Sequence, residues 1–196
     1  MAAYSDYLDL RLAVSEKVGN RAISDVFPRL VQSAEAMLNT KIRHRKQLTD
    51  ATLTFASGVA TLPTDFLEML HVYDAQDRVM RQVTISQTKL SGSQYQSYAI
   101  DDASVYIYGL TGDRDCTYYA KLSTLTTSLT TSNWLLATYP AVYFYAVAVE
   151  AANFLNDPDK AMECGRMLVS AMGNMKVDDD RARYGDGVVR VQGVTP

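Results

Sequence analysis

The sequence predicts an α+β protein in which helices from both ends of the chain form one bundle, with an antiparallel β region inserted between them. Two observations carry this. The hydrophobic period is 3.6 residues up to about Lys46, shortens to 2 between Gln47 and Ser123, and returns to 3.6 after Ser132. The stretch NWLLATYPAVYFYAVAVEAANFL, Asn133 to Leu155, is apolar almost all round a helix, and such a helix needs cover on every side. The expected divisions are 1–46 with 132–182 for the bundle, 47–123 for the β region, 124–131 for a Thr/Ser linker and 183–196 for an extended tail.

The first helix is expected to be capped by Ser5, to carry Tyr7, Leu10, Val14 and Val18 along one stripe, and to stop at Gly19. A longer second helix should be capped by Ser24 or Asp25, with Pro28 in its first turn, where a missing N–H costs nothing. Phe27, Leu30, Val31, Ala34, Met37, Leu38 and Ile42 trace its buried face. In the β region, turns are expected at Ser57-Gly58, near Asp77 and at Asp101-Asp102, giving six or seven short strands interrupted by a brief helix from Ile85 to Leu90 with Thr84 before it. SGSQYQS reads as a flexible connection. The apolar stretch from Asn133 follows, and NDPDKAM restarts the chain as a last helix, with Asp157 as cap and Pro158 at the first helical position. Ala161, Cys164, Gly165, Leu168, Ala171, Met172 and Met175 form that helix's inner stripe, and Lys160, Glu163, Arg166, Ser170 and Asn174 its wet face.

A membrane role does not fit. The run from Tyr139 to Leu155 includes Pro140, Glu150 and Asn153 and falls short of the ~20 apolar residues a span requires. The start MAAYSDYLDL has neither a basic leader nor a continuous apolar core, so no signal peptide is expected. Cys116 and Cys164 have no CxxC spacing and no neighbouring His, which points to two free thiols in a reducing compartment. A length of 196 residues with 47% hydrophobic and 21% charged side chains is that of a globular protein, and the net charge of −3 does not suggest a nucleic-acid binder.

The motifs of enzyme chemistry are absent: no phosphate loop, dinucleotide turn, GxSxG elbow or HExxH helix occurs. No catalytic residue, cofactor or metal is therefore expected. His44 and His71 lack further ligands at useful spacing, and Asp178-Asp179-Asp180 reads as a solvated helix end rather than a calcium loop. KIRHRK, Lys41 to Lys46, is the one local excess of positive charge. It complements the carbonyl end of the second helix. Alternatively, Lys41, Arg43, Arg45 and Lys46 make phosphate contacts in a small nucleic-acid-binding module. The tail RYGDGVVRVQGVTP, rich in glycine and valine, is expected to order only against another chain, with Arg183, Tyr184, Val188, Val189, Arg190 and Val191 making the contacts.

The order of parts resembles the head-to-tail adaptor (connector, or neck) proteins of tailed bacteriophages and related gene-transfer particles. The resemblance rests on LVQSAEAMLNTKIR, on ATLTFASGVATLPTDFLEMLHV with its LPxDF element at Leu62, Pro63, Asp65 and Phe66, on the aromatic segment through NDPDKA, and on DDDRARYGD, spanning nearly the whole chain to about Tyr184. It implies a structural virion protein, not an enzyme, assembled in the host bacterial cytoplasm and placed in the neck between capsid and tail. It implies a homo-oligomeric ring of about twelve subunits, bound to the portal protein above and to tail or nozzle proteins below, through which DNA passes without sequence-specific binding. At −3 per copy, twelve copies would carry about −36, a field that repels DNA phosphates. Trp134, Tyr139, Phe144 and Phe66 are then expected as structural core, with surplus aromatics left for neighbouring subunits.

Overall fold

The computed structural model of the chain describes residues 4, 6–19, 22–90, 97–125 and 132–185. Ser5, most of the SGSQYQS connection, much of the Thr/Ser linker and the valines of the tail lie outside them. In chain order the elements are α1 (Tyr7–Lys17), α2 (Phe27–Lys41), β1 (Leu48–Phe55), β2 (Val59–Thr61), β3 (Phe66–Val72), β4 (Arg81–Gln82), α3 (Ile85–Leu90), β5 (Ser97–Asp101), β6 (Ser104–Tyr106), β7 (Gly112–Ala120), α4 (Trp134–Thr138), α5 (Pro140–Phe154) and α6 (Pro158–Tyr184). The protein is α+β. It divides into a helical unit, residues 1–45 with 123–196, and a β unit, residues 46–122.

In the helical unit α5 is the centre, packed against α1, α2, α4 and α6. Val142, Tyr143, Phe144, Ala146, Val147, Ala148, Ala151 and Ala152 are all buried, and the alanines let neighbouring helices come close. Glu150 escapes this burial by reaching the helix edge, where it accepts a hydrogen bond from Ser33 Oγ at 3.0 Å. The apolar stretch is two helices rather than one. Pro140 excludes helical backbone from the residue before it, and Tyr139 breaks the run with φ −129° and ψ 60°. The α1 stripe of Tyr7, Leu10, Val14 and Val18 is buried as its spacing predicts. Its cap is Asp6, whose carboxylate accepts from the N–H groups of Leu8 and Asp9. Neither Ser24 nor Asp25 caps α2. The chain enters that helix through a turn in which the Val26 N–H donates to the Ile23 carbonyl, and Pro28 in the first turn needs no acceptor.

One charge lies where the α2 period places only apolar groups. Glu35 is buried and accepts hydrogen bonds from the Leu125 N–H at 3.0 Å and from the Tyr143 hydroxyl. Burial, then the Glu35 carboxylate, pushes the Tyr143 phenol far above its ordinary value, so it stays a donor. Asn133 completes this region by capping α4 at the Leu136 N–H, 3.0 Å, and by donating to the Ser123 carbonyl at 2.8 Å.

The β unit contains two sheets, β1-β7-β3 and β2-β6-β5-β4. Among the described residues its pairings are antiparallel, as expected, except the short β4 with β5, which run parallel. The three expected turns each contain a non-glycine residue with positive φ, at Ser57, Asp77 and Asp102. Around Ser57-Gly58 the turn closes a short hairpin, Ala56 and Val59 exchanging backbone hydrogen bonds at 2.9 and 3.1 Å, and beyond it β1 pairs with β7 and β2 with β6. LPxDF has a local explanation. The Phe66 N–H closes onto the Pro63 carbonyl at 3.0 Å, which turns Asp65 to accept from Tyr118 Oη at 2.9 Å, while the Phe66 and Tyr118 rings pack at 5.8 Å. The core consists of Leu53, Phe55, Val72, Tyr98, Val105, Ile107 and Cys116 with their neighbours.

Gly58 is the tightest backbone position: its φ is +87°, and a Cβ there would stand 2.7 Å from the Ile107 carbonyl oxygen. Both its N–H and its carbonyl are used, toward Leu110 and Ile107. Gly58→Ala is expected to destabilise the protein by about 2–4 kcal/mol, combining left-handed strain with a backbone clash. Thermal unfolding should show the melting temperature falling by roughly 5–15 °C, and an unchanged value would contradict the close approach.

Candidate functional site

The segment after α2 and the last turns of α6 meet in a polar cluster that joins two stretches the sequence left separate, KIRHRK and DDDRAR. It forms because α2 stops at Lys41 and the chain leaves extended, Ile42 having φ −94° and ψ 129°. Arg43 then turns back to cap the helix, donating through Nη1 to the carbonyls of Asn39 at 2.8 Å and Ile42 at 2.6 Å. His44 points inward and is 1% exposed. Its ring stacks on Trp134 at 5.1 Å and 21°, and meets the edge of Tyr139 at 5.3 Å.

Asp179, 6% exposed, is the hub. It accepts from the Arg45 backbone N–H at 3.0 Å, from Arg45 Nη1 at 3.2 Å and from Arg183 Nε at 2.8 Å, and lies 3.5 Å from His44 Nε2. Asp178 accepts from Arg45 Nη2 at 3.3 Å and from the Tyr139 hydroxyl. Burial alone would raise the Asp179 carboxyl, but the Arg45 N–H and Arg183 outweigh it and hold the group below its ordinary value. Asp178 is held down first by the Tyr139 hydroxyl and then by Arg45. The Tyr139 hydroxyl is correspondingly pushed up to about 12, by burial and then by its bond to Asp178. Every charge here is matched by charge-assisted hydrogen bonds, so the arrangement fastens rather than reacts.

What it fastens is the direction in which the chain leaves α6. Tyr184, the last helical residue, is 73% exposed, and Gly185 closes the helix with φ 60° and an N–H bond to the Arg181 carbonyl at 2.8 Å. Arg183 is thus a fastening residue as well as the root of the tail, while Val188, Val189, Arg190 and Val191 lie outside the described residues. The four basic residues have different local roles. Lys41 is exposed, Arg43 caps α2, Arg45 grips the two aspartates, and Lys46 belongs to the β unit. Of the expected core aromatics, Phe144 is buried, with its ring stacked on Tyr4 at 5.0 Å. Trp134, Tyr139 and Phe66 are half-buried; the first two form a lid over His44 instead of filling the core.

The expected solvated end of α6 is therefore corrected at Asp179, which is buried, while Asp178 is exposed as expected. The complementary charge of KIRHRK and the Asp179–Arg183 spacing of one helical turn were the signals available. Among the described residues no group of His, Cys, Asp and Glu is placed to hold a metal ion, and no helix is long and apolar enough to cross a membrane. Cys116 and Cys164 are buried free thiols, and burial pushes Cys116 up to about 11. In the β unit, Asp50 and Asp115 border an open depression, but each accepts a hydrogen bond from a threonine across the β1–β7 ladder.

The depressed Asp178 and Asp179 values fix a pH dependence. An unfolded aspartate titrates near 3.8 and the folded groups lower. The contribution is therefore present in full above about pH 5 and is lost as the pH falls through the folded values. Asp179→Asn is expected to cost about 1–3 kcal/mol near neutral pH and progressively less below pH ~4. Melting temperatures of both chains across pH 3–7 check this; a gap of constant size would contradict it.

The comparisons agree with the order of parts. A family model described as SU10 adaptor protein matches residues 5–192, a range that includes much of the tail. No curated protein matches the chain. With nearly the whole chain matched, from α1 past the fastened end of α6, the protein belongs to the SU10 adaptor family, a family of phage head-to-tail adaptors.

Proposed function

We propose that the chain is a neck subunit that forms a ring beneath the portal, extends the DNA channel and offers a platform to tail or nozzle proteins. The family match over residues 5–192 carries this reading. The ring is expected to hold about twelve copies, with its two units as separate working parts and no catalytic step. Three features support the reading. The net charge of −3 per copy favours a channel that lets DNA slide. Arg43 and Arg45 of KIRHRK are bound within the chain, which leaves little for a phosphate-gripping module and disfavours the nucleic-acid-binding alternative. The fastening of α6 gives the tail a fixed point of departure, which lowers the entropic cost of docking it on a portal groove.

In this reading the tail docks on the portal, through the valines at 188, 189 and 191, with Arg190 making a polar contact. Ordering such a segment costs about 1–2 kcal/mol of backbone entropy per residue, which its apolar side chains offset only when buried. A chain ending at Arg183 keeps every bond of the Asp179 cluster, so it should fold with unchanged helix content yet bind purified portal rings at least roughly tenfold more weakly. Co-sedimentation with portal rings, followed by particle imaging, tests both parts. Equal binding by the shortened chain would remove the tail from the docking surface. Failure of the full chain to form any ring on the portal would overturn the adaptor reading itself.

A further inference from the structure

Helix α6 carries more apolar surface than its own unit covers. Cys164, Leu168 and Met175 are buried on one side. On the other, where the sequence suggests a wet face, Met162, Val169, Val177 and Tyr184 are 55%, 71%, 48% and 73% exposed. These four recur about every two helical turns and therefore form one stripe along the outer side of the helix. Arg166, Lys176 and Asp180 interleave with it on the same side, the Arg166 guanidinium lying with Nη2 3.2 Å from Met162 Sδ. Midway along lies Gly173, where nothing stands within 4 Å of the place a Cβ would take. An exposed helical glycine costs about 1 kcal/mol relative to alanine, and it lets another backbone approach closely.

We infer that this stripe is the face through which each copy packs against the next copy of the same chain. The inference rests on the ring reading above and names the surface that reading requires. Together the four residues expose on the order of 500 Å², more than half of one partner's share in a standard interface. A ring contact is heterologous, so one chain must present two different patches. Among the described residues of the helical unit, the other exposed large apolar side chains are Leu12 on α1, Phe154 on α5 and Met167 on α6. Leu12 and Phe154 lie on different helices from the stripe and supply a counter-surface. A stripe of this kind offers nothing to DNA phosphates.

The test uses the full-length chain carrying Val169→Arg together with Val177→Arg. Both positions are exposed and Arg is the better helix former, so helix content and melting temperature should stay at the wild-type values. Binding to purified portal rings is followed by native mass as the concentration of the chain rises. The wild-type chain should fill the ring cooperatively. The variant should still place isolated copies but need roughly tenfold or more higher concentration to fill it, with the cooperativity lost. Asn174→Arg, on the same helix beside the stripe, should behave as wild type. Filling by the variant at wild-type concentration and steepness would overturn the inference, as would loss of even the first copy, which would turn the stripe toward the portal. Should the wild-type chain not bind portal, the adaptor reading falls. The stripe is then decided by sedimentation of the chain alone: self-association abolished in the variant supports it, and a wild-type monomer at every concentration overturns it.

Discussion

The helical unit depends on one helix, α5, that is buried over most of its length and exposed only at Ala141, Asn153 and Phe154 near its ends. Because α5 is buried along nearly its whole length, α1, α2, α4 and α6 must all lie against it. Its alanines make that possible by keeping interhelical distances short, and its one deeply buried polar group sets the next requirement. The Tyr143 hydroxyl needs an acceptor, Glu35 supplies it from α2, and the Glu35 carboxylate in turn draws in the backbone N–H of Leu125. A half-satisfied set of this kind is worse than an apolar core, so these three groups hold one another in place. The segment returning to the helical unit is positioned by that need, and Asn133 adds a second hold at Ser123.

At the other end of the unit the same logic is applied to charge. Asp179 is as buried as a core residue, but it is surrounded by the Arg45 backbone, two guanidinium groups and an imidazole. Helix α6 thus has two kinds of work. Its inner side and C-terminal turns bind it to its own unit, and Met162, Val169, Val177 and Tyr184 stay exposed on its outer side.

Much of this was legible in the sequence because it is local. The α1 and α2 stripes follow from side-chain period, the turns at Ser57, Asp77 and Asp102 from turn chemistry, and the restart at Asp157-Pro158 from capping preference. What was not legible depends on residues far apart in the chain. Glu35 looks like a misplaced charge until Tyr143, from another helix, is brought against it. The acidic run looks solvated until Arg45 and His44 reach it. The division of strands between two sheets is equally non-local, since the Ser57-Gly58 turn is correct while the strands beside it pair elsewhere. Trp134 reads as core from its size and neighbours, but its work is to cover His44. The exposed stripe of α6 escaped notice because polar residues interleave with it and hide its period.

The account turns on α5 being interior, and native-state hydrogen exchange measures that directly. If α5 is covered on all sides, the amides from Val142 to Ala152 should exchange only through global unfolding, with the largest protection in the helical unit and the same denaturant dependence as the whole unit's unfolding. Amides of the outer face of α6, around Val169 and Gly173, should exchange sooner by local fraying. Protection of α5 no greater than that of α6, or exchange of α5 through small local openings, would contradict the central place given to this helix.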